Sequence, residues 1–473
     1  MTRALHSLVV TASLVASSAA VPSARADKQS PPPPAAPKTF VLPAHHDVTL
    51  DNGLKITTAA YGSVPKTAIV LVIRGGTSEE TASETWLARL MTRSLAEGTR
   101  SQTAVQLAES AAAMGGSLQV NAGANAMTIS LEVLAEFAPR AIALVADVAR
   151  NPAFPPADVA RVQTDLVRAL AIARTEPSQL ASEQFEGALY PNHPYGRSMP
   201  TEAQLKGYTV DQVRAFYAAH AGAARSHVYI AGQFDESSVQ KAARGAFADW
   251  ARGVEYKPIE PASPAPRAVR VLDRPKAVQS TMIVGLPVVA ATSPDYVAMQ
   301  VTDTLLGGFF GSRITSNIRE QKGYTYSPFS SVDSLEGNST WSEEADVTTK
   351  DTGASLTEIF KEVKRLRVEA PSGDELRSIQ SYLAGVFVLR NSTRLGIITQ
   401  LVFLERHGLT DDYLRDYTKR VWAVTPADIQ RIASTYLDPS KMTIVVVGDR
   451  KQIDNQLKPW TANSRPGAPS PRK

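Results

Sequence analysis

The chain repeats itself once at a spacing of 216 residues, and a repeat that long points to an architecture of two like halves. Ser226-His227-Val228-Tyr229-Ile230-Ala231-Gly232 reads as a strand ending in glycine, behind a helix that opens near Thr209. Met442-Thr443-Ile444-Val445-Val446-Val447-Gly448 reads the same way behind a helix that opens near Thr425. A third pair, Asp158-Val159-Ala160-Arg161 and Asp374-Glu375-Leu376-Arg377, opens two amphipathic helices at the same separation. Each match is weak alone, and the reading rests on their agreement. With 473 residues the chain also exceeds what one core usually serves. Homologous domains are expected over 40–254 and 268–460, joined by a Pro-rich linker at 255–267.

Within the first half, Val48 to Ile56 reads as strand, two-residue Asn52-Gly53 turn, strand, because Asn-Gly readily supplies positive φ. Ala68 to Ile73 is a continuous apolar run of the kind found in a buried strand. Leu87, Leu90, Met91 and Leu95 recur at helical spacing, as do Val159, Val162, Leu166 and Leu170. Gly116 to Val133 alternates apolar and polar residues and is expected in a sheet. Strands and helices mix without regular βαβ alternation. The expected class is α+β, with each domain a mainly antiparallel sheet carrying helices on one face.

A formal charge of +4, from 50 Lys+Arg against 46 Asp+Glu, and the lack of any basic run interleaved with aromatics give no sign of a nucleic-acid partner. Cysteine is absent, so any metal ligands must be His, Asp or Glu. Residues 1–26 read as a signal peptide, with Arg3 before a short apolar stretch and Ala24-Arg25-Ala26 as the cleavage site. The mature chain would then carry no transmembrane segment and be exported, to the periplasm or cell envelope. Residues 27–39, with Pro31-Pro32-Pro33-Pro34, read as an extended spacer, and 461–473 as a disordered tail.

Four stretches carry a resemblance: Leu50-Asp51-Asn52-Gly53-Leu54, Ala96-Glu97-Gly98-Thr99, Asn192-His193-Pro194-Tyr195-Gly196, and the run from Asn317 to Ser327. In this order and spacing the chain resembles the M16 family of pitrilysin, insulin-degrading enzyme, mitochondrial processing peptidase and the bc1 core subunits. The resemblance covers nearly all of 40–460 and implies the processing-peptidase-like metallohydrolase fold. Active members carry His-x-x-Glu-His on the first helix, where two His at i and i+4 bind zinc and the Glu activates water. Anchored on Ala96-Glu97-Gly98-Thr99, the matching positions here are Arg89, Thr92 and Arg93, and the family's remaining Glu ligand matches Ala169. Arginine has no lone pair to give and repels a dication. No metal is therefore expected on this chain. Asp165, the one acid between Asp158 and Glu176, reads as a solvated helix residue, and His193 as a structural loop histidine.

The resemblance also implies that an Arg and a Tyr of the second domain hold the substrate backbone and stabilise the tetrahedral intermediate. They match Arg319 and Tyr326, with Tyr324 the alternative one register away. A permanent cation and a phenol can both donate to a carbonyl oxygen gaining charge. The competing reading is a helix-end Arg on a carbonyl and a Tyr packed on the sheet. Gly307-Gly308-Phe309-Phe310-Gly311 lacks the Gly-Lys-Ser/Thr of a phosphate loop and is expected beside the substrate chamber.

Together these readings imply the metal-free subunit of a heterodimeric zinc metalloendopeptidase, inactive alone, whose zinc sits in a homologous partner carrying His-x-x-Glu-His. Unfolded peptides would add as a strand to an exposed edge involving Gly116, Asn121 and Ala122. Arg89 and Arg93 could bind a carboxylate or form an ion-paired face. The rivals are an inert scaffold like the bc1 core proteins and a peptide-binding module.

Overall fold

The computed structural model describes residues 40–263 and 265–461, which fall in one compact unit. The expected signal peptide, the spacer and all but the first residue of the expected tail lie outside the described residues. The first half supplies strands β1 (His45–Thr49), β2 (Lys55–Ala60), β3 (Lys66–Arg74), β4 (Gln119–Ala122), β5 (Ala126–Leu134) and β6 (Ser226–Gly232). The second supplies β7 (Val269–Asp273), β8 (Gln279–Val288), β9 (Phe329–Leu335), β10 (Asn338–Thr348) and β11 (Thr443–Gly448). The helices that matter below are, in chain order, α1 (Leu87–Ser94), α2 (Pro156–Ala173), α3 (Pro177–Leu189), α4 (Val210–His220), α5 (Tyr296–Leu306), α6 (Gly373–Arg390), α7 (Arg394–His407) and α8 (Pro426–Tyr436). Among the described residues no helix is long and apolar enough to cross a membrane.

The strand orders are β1-β2-β6-β3-β5-β4 and β7-β11-β8-β10-β9. With β1 set aside, the two sheets are the same. In each, a strand ending in Gly232 or Gly448 runs parallel to one neighbour, β2 or β7, and antiparallel to the other, β3 or β8. The remaining pairings, β3–β5–β4 and β8–β10–β9, are antiparallel. The helices before the two glycine-ended strands also start alike. Thr209 accepts from Gln212 N and Thr425 from Asp428 N, both at 3.2 Å, while each N3 side chain reaches back to its N-cap amide. These reciprocal caps fix both helix starts and contribute about 1 kcal/mol each.

Alternation along the strands divides each sheet into two faces. Ile69, Leu71 and Ile73 of β3, with Val228 and Ile230 of β6, pack with Leu87, Leu90 and Met91 of α1 and the four α2 residues Val159, Val162, Leu166 and Leu170. Ala68, Val70, Val72, Tyr229 and Ala231 point the other way and join the core of the second half, against α7. The second sheet mirrors this. Met282, Val284, Ile444 and Val446 face their own helices, while Ile283, Val445 and Val447 meet Ala181, Phe185 and Leu189 of α3. Each sheet therefore has its own helices on one face and a helix from the opposite half on the other. Because α3 follows α2 as α7 follows α6, the halves exchange equivalent helices. At roughly 1.5–3 kcal/mol per buried large apolar side chain, this exchange joins them firmly. Arg74–Glu336 and Arg394–Glu132, both 2.7 Å, cross the same junction.

Three local expectations change. The hairpin loop has three residues, not two: Leu50 and Leu54 still pair, Gly53 N donates to Leu50 O at 2.8 Å, and Gly53 alone takes positive φ, at 91°. The reason is Asn52, which spends its side chain on Phe247 O and Trp250 O at 2.7 and 3.0 Å and so ties the turn to the following helix end. Gly116 lies outside any strand, because its N–H closes the preceding helix on Ala111 O; the edge strand begins at Gln119. The described residues of 255–267 form no helix or strand, yet they are fastened at several points. His193 Nε2 donates to Glu260 O, Ala262 N to Asn338 Oδ1, and Arg267 Nε to Met442 O.

Candidate functional site

Glu80 starts α1. Its carboxylate accepts from Trp86 N at 3.1 Å and Ala88 N at 2.8 Å, which fills the orphan amides of the first turn. Burial pushes this carboxyl up to about 7, against the pull of those amides and of Arg89. Arg89 lies over the Trp86 ring, 4.7 Å from its centroid, and its charge acts on Glu80 and on the half-buried Glu186 of α3. Burial raises Glu186, and the Arg89 charge opposes the rise. Thr92 is fully buried with no partner for its hydroxyl, and Arg93 is exposed. Ala169 is half-buried on α2, which packs on α1. Asp165 pairs with Arg161 and Arg168 on the same helix.

These residues do not fit zinc. Two guanidinium groups, a methyl and one hydroxyl offer no ligand set. Among the described residues, no group of three or more His, Cys, Asp or Glu is placed to hold a metal ion.

In the second half, Arg319 sits in a widened helical turn, Thr315–Gln321, where Lys322 N reaches back five residues to Asn317 O at 3.0 Å. Such turns are rare and shift side chains out of the ordinary helical register. Two anchors hold this one: Asn317 donates to Glu358 at 2.9 Å and Glu362 at 2.7 Å, and Arg313 forms a two-bonded pair with Glu375. The Arg319 guanidinium lies between two rings, with Phe310 at 4.1 Å and Tyr326 at 4.9 Å from its carbon to the centroids. Phe310 is 66% exposed and Tyr326 80%. Nη1 of Arg319 makes no hydrogen bond, its nearest acid being Glu320 at 3.5 Å.

The structure thus brings Arg319, Tyr326 and the Gly307–Gly311 loop together, the loop supplying Phe310. Tyr324 is half-buried against the core of the second half and takes no part in the stack. His193 accepts from Tyr195 N and donates to Glu260 O, an ordinary loop histidine. Asn121 is exposed and Ala122 half-buried on β4, the outermost strand of the first sheet, while Gly116 stands apart from them.

Sequence reasoning missed Phe310 as a ring partner, and also two buried acids under its loop, Asp303 of α5 and Glu343 of β10. One signal was available for the second: the alternation Trp341, Glu343, Ala345, Val347 puts an acid in an otherwise apolar row.

The family model described as insulinase (peptidase family M16) matches residues 56–201, and that described as peptidase M16 inactive domain matches 207–383. The chain is 24% identical over 417 residues to an uncharacterized zinc protease of Streptomyces coelicolor, covering 85% of this chain and 89% of that one. It is 23% identical over 396 residues to a non-peptidase homolog of Helicobacter pylori, covering 82% and 90%. The fold matches the crystal structure of a peptidase M16 inactive domain from Pseudomonas fluorescens with a TM-score of 0.80 at 22% identity, over 86% of this chain and 98% of that one. Two models of one family, matched in succession over residues 56–201 and 207–383, place the chain in the M16 peptidase family, as a member without the His-x-x-Glu-His motif.

Proposed function

We propose that the chain is the metal-free subunit of a two-chain M16 zinc endopeptidase, offering Arg319 and Tyr326 to a peptide held at a partner's zinc. One observation carries the reading: the Arg319 guanidinium, its Nη1 buried and without a hydrogen bond, is held against two solvent-facing rings, Phe310 and Tyr326, while the positions that match the family's metal ligands carry Arg89, Thr92, Arg93 and Ala169. A fixed cation beside an open ring pair suits a carbonyl oxygen that gains negative charge. The partner is a homologous M16 subunit carrying His-x-x-Glu-His. The substrates are unfolded peptides, which the exposed β4 edge at Asn121 and Ala122 can take as an added strand. The reading of residues 1–26 as a signal peptide puts the complex in the periplasm or cell envelope.

The purified chain should then hold no stoichiometric zinc by elemental analysis and leave unstructured peptides uncut. Reconstituted with the zinc-bearing partner, Arg319→Ala or Tyr326→Phe should leave the complex assembled and lower peptide hydrolysis steeply. Full activity of an assembled complex carrying both substitutions would sink the catalytic role. The scaffold reading, which the Helicobacter non-peptidase homolog favours, would then stand.

A further inference from the structure

The Gly307-Gly308 turn that leads to Phe310 lies on two buried carboxyl groups that peptide binding leaves unused. Glu343 is 1% exposed, and neither of its oxygens has a hydrogen-bond partner. Asp303, near the end of α5, accepts from Ser330 Oγ at 2.6 Å and from Trp341 Nε1 at 2.9 Å. Ser330 is also the cross-strand neighbour of Glu343. The turn approaches so closely that a Cβ on Gly307 would stand 2.4 Å from Glu343 Oε2, and one on Gly308 2.7 Å from Asp303 Oδ2. Both glycine amides donate to Asp303 O, at 2.9 and 3.0 Å. The other charges acting on the pair, Asp333 of β9 and Glu344 of β10, are acidic as well. A carboxylate here would be buried without a counter-ion, so the seated turn requires the protonated form.

We propose that Asp303 and Glu343 are positioning residues for the Arg319 stack: protonated, they let the Gly307-Gly308 turn lie down and seat Phe310 on Arg319, and ionised, they lift it. The functional meaning rests on Arg319 as a substrate grip; the coupling of loop to carboxyl pair does not. Burial takes Asp303 up to about 7 and Glu343 well above its ordinary value. The stack is therefore seated under acid conditions, loosens as Asp303 loses its proton, and is fully released only when Glu343 follows.

Amide exchange of residues 307–312 in the full chain, corrected for intrinsic rate, reads the turn directly at pH 6 and pH 9. The wild type should lose about tenfold or more of its protection at pH 9. Glu343→Gln and Asp303→Asn, each neutral at both pH values, should keep more of it. Trp341, bonded to Asp303, supplies a spectroscopic signature: a pH-dependent fluorescence step in the wild type that Asp303→Asn abolishes. Thermal unfolding shows which variants are folded, and either one suffices. Equal exchange at both pH values in the wild type, or the same loss in the folded variants, would overturn the proposal. Because this experiment uses the chain alone, its outcome is separate from that of Arg319→Ala in the complex.

Discussion

Among the arginines that lie against aromatic rings, Arg89 and Arg319 make an instructive pair, because their surroundings differ. Arg89 covers Trp86, which is 5% exposed and donates its indole N–H to Ser198 O, and the charge of Arg89 meets Glu80 and Glu186. Arg319 lies between rings that face solvent, and its Nη1 has no hydrogen-bond partner. The same pair of groups is closed by counter-charges and burial at Arg89, and leaves its ring faces open to solvent at Arg319. In the first half, the Arg89 guanidinium is part of the packing between α1 and α3. In the second, the hydrogen bonds of the Asn317 and Arg313 anchors hold the widened turn that carries Arg319.

The largest expected effect separates Arg319 from the arginines of α1 by function. In the reconstituted complex, Arg319→Ala should lower peptide hydrolysis about a hundredfold, roughly 3 kcal/mol, as for loss of one preorganised donor. Arg93→Ala, at an exposed position on α1, should change it little. Comparable losses from both would erase the contrast. In stability the order should reverse. Arg89→Ala strips a cation from the buried Glu80 and the half-buried Glu186 and should destabilise the chain by about 2 kcal/mol in chemical denaturation, while Arg319→Ala, between solvent-facing rings, should stay within about 1 kcal/mol. A neutral Arg89→Ala would mean that Glu80 and Glu186 do not depend on it.

A third test uses pH. The folded chain holds a proton on Asp303 that the unfolded chain releases near pH 4, so the contribution of this group to stability is greatest below that pH and declines as pH rises towards about 7. One proton sets a slope of at most about 1.4 kcal/mol per pH unit, and Glu343 acts in the same sense and extends the decline to higher pH. Asp303→Asn should flatten its share in denaturant titrations from pH 4 to 8; an unchanged slope would remove Asp303 as the cause. The smallest effect concerns the first hairpin. Asn52→Ala should cost about 1 kcal/mol by freeing Phe247 O and Trp250 O, without altering peptide hydrolysis.

Much of the fold was legible because its signals are local. The capped starts at Thr209 and Thr425, the periodic faces of α1 and α2 and the alternation before Val133 each depend on residues a few positions apart, and the 216-residue repeat needed only comparison of the chain with itself. The Asn52-Gly53 turn was read one residue short because the deciding partners, Phe247 and Trp250, lie nearly 200 residues away. For the same reason, the choice between Tyr326 and Tyr324 could not be made in sequence, where two residues in a loop look alike; their placement depends on the widened turn at Arg319 and on the core that receives Tyr324.

By itself, then, the sequence determined the α+β class, the duplication, the M16 likeness and the lack of ligands at Arg89, Thr92, Arg93 and Ala169, since each follows from residue type and spacing. Only the tertiary structure decided that the halves exchange α3 and α7, that Phe310 and Tyr326 enclose Arg319, and that Glu343 is buried beneath a glycine turn. These depend on which sheet face a distant helix covers and on which groups are left without partners after packing. Periodicity says that a face is apolar but not what will cover it.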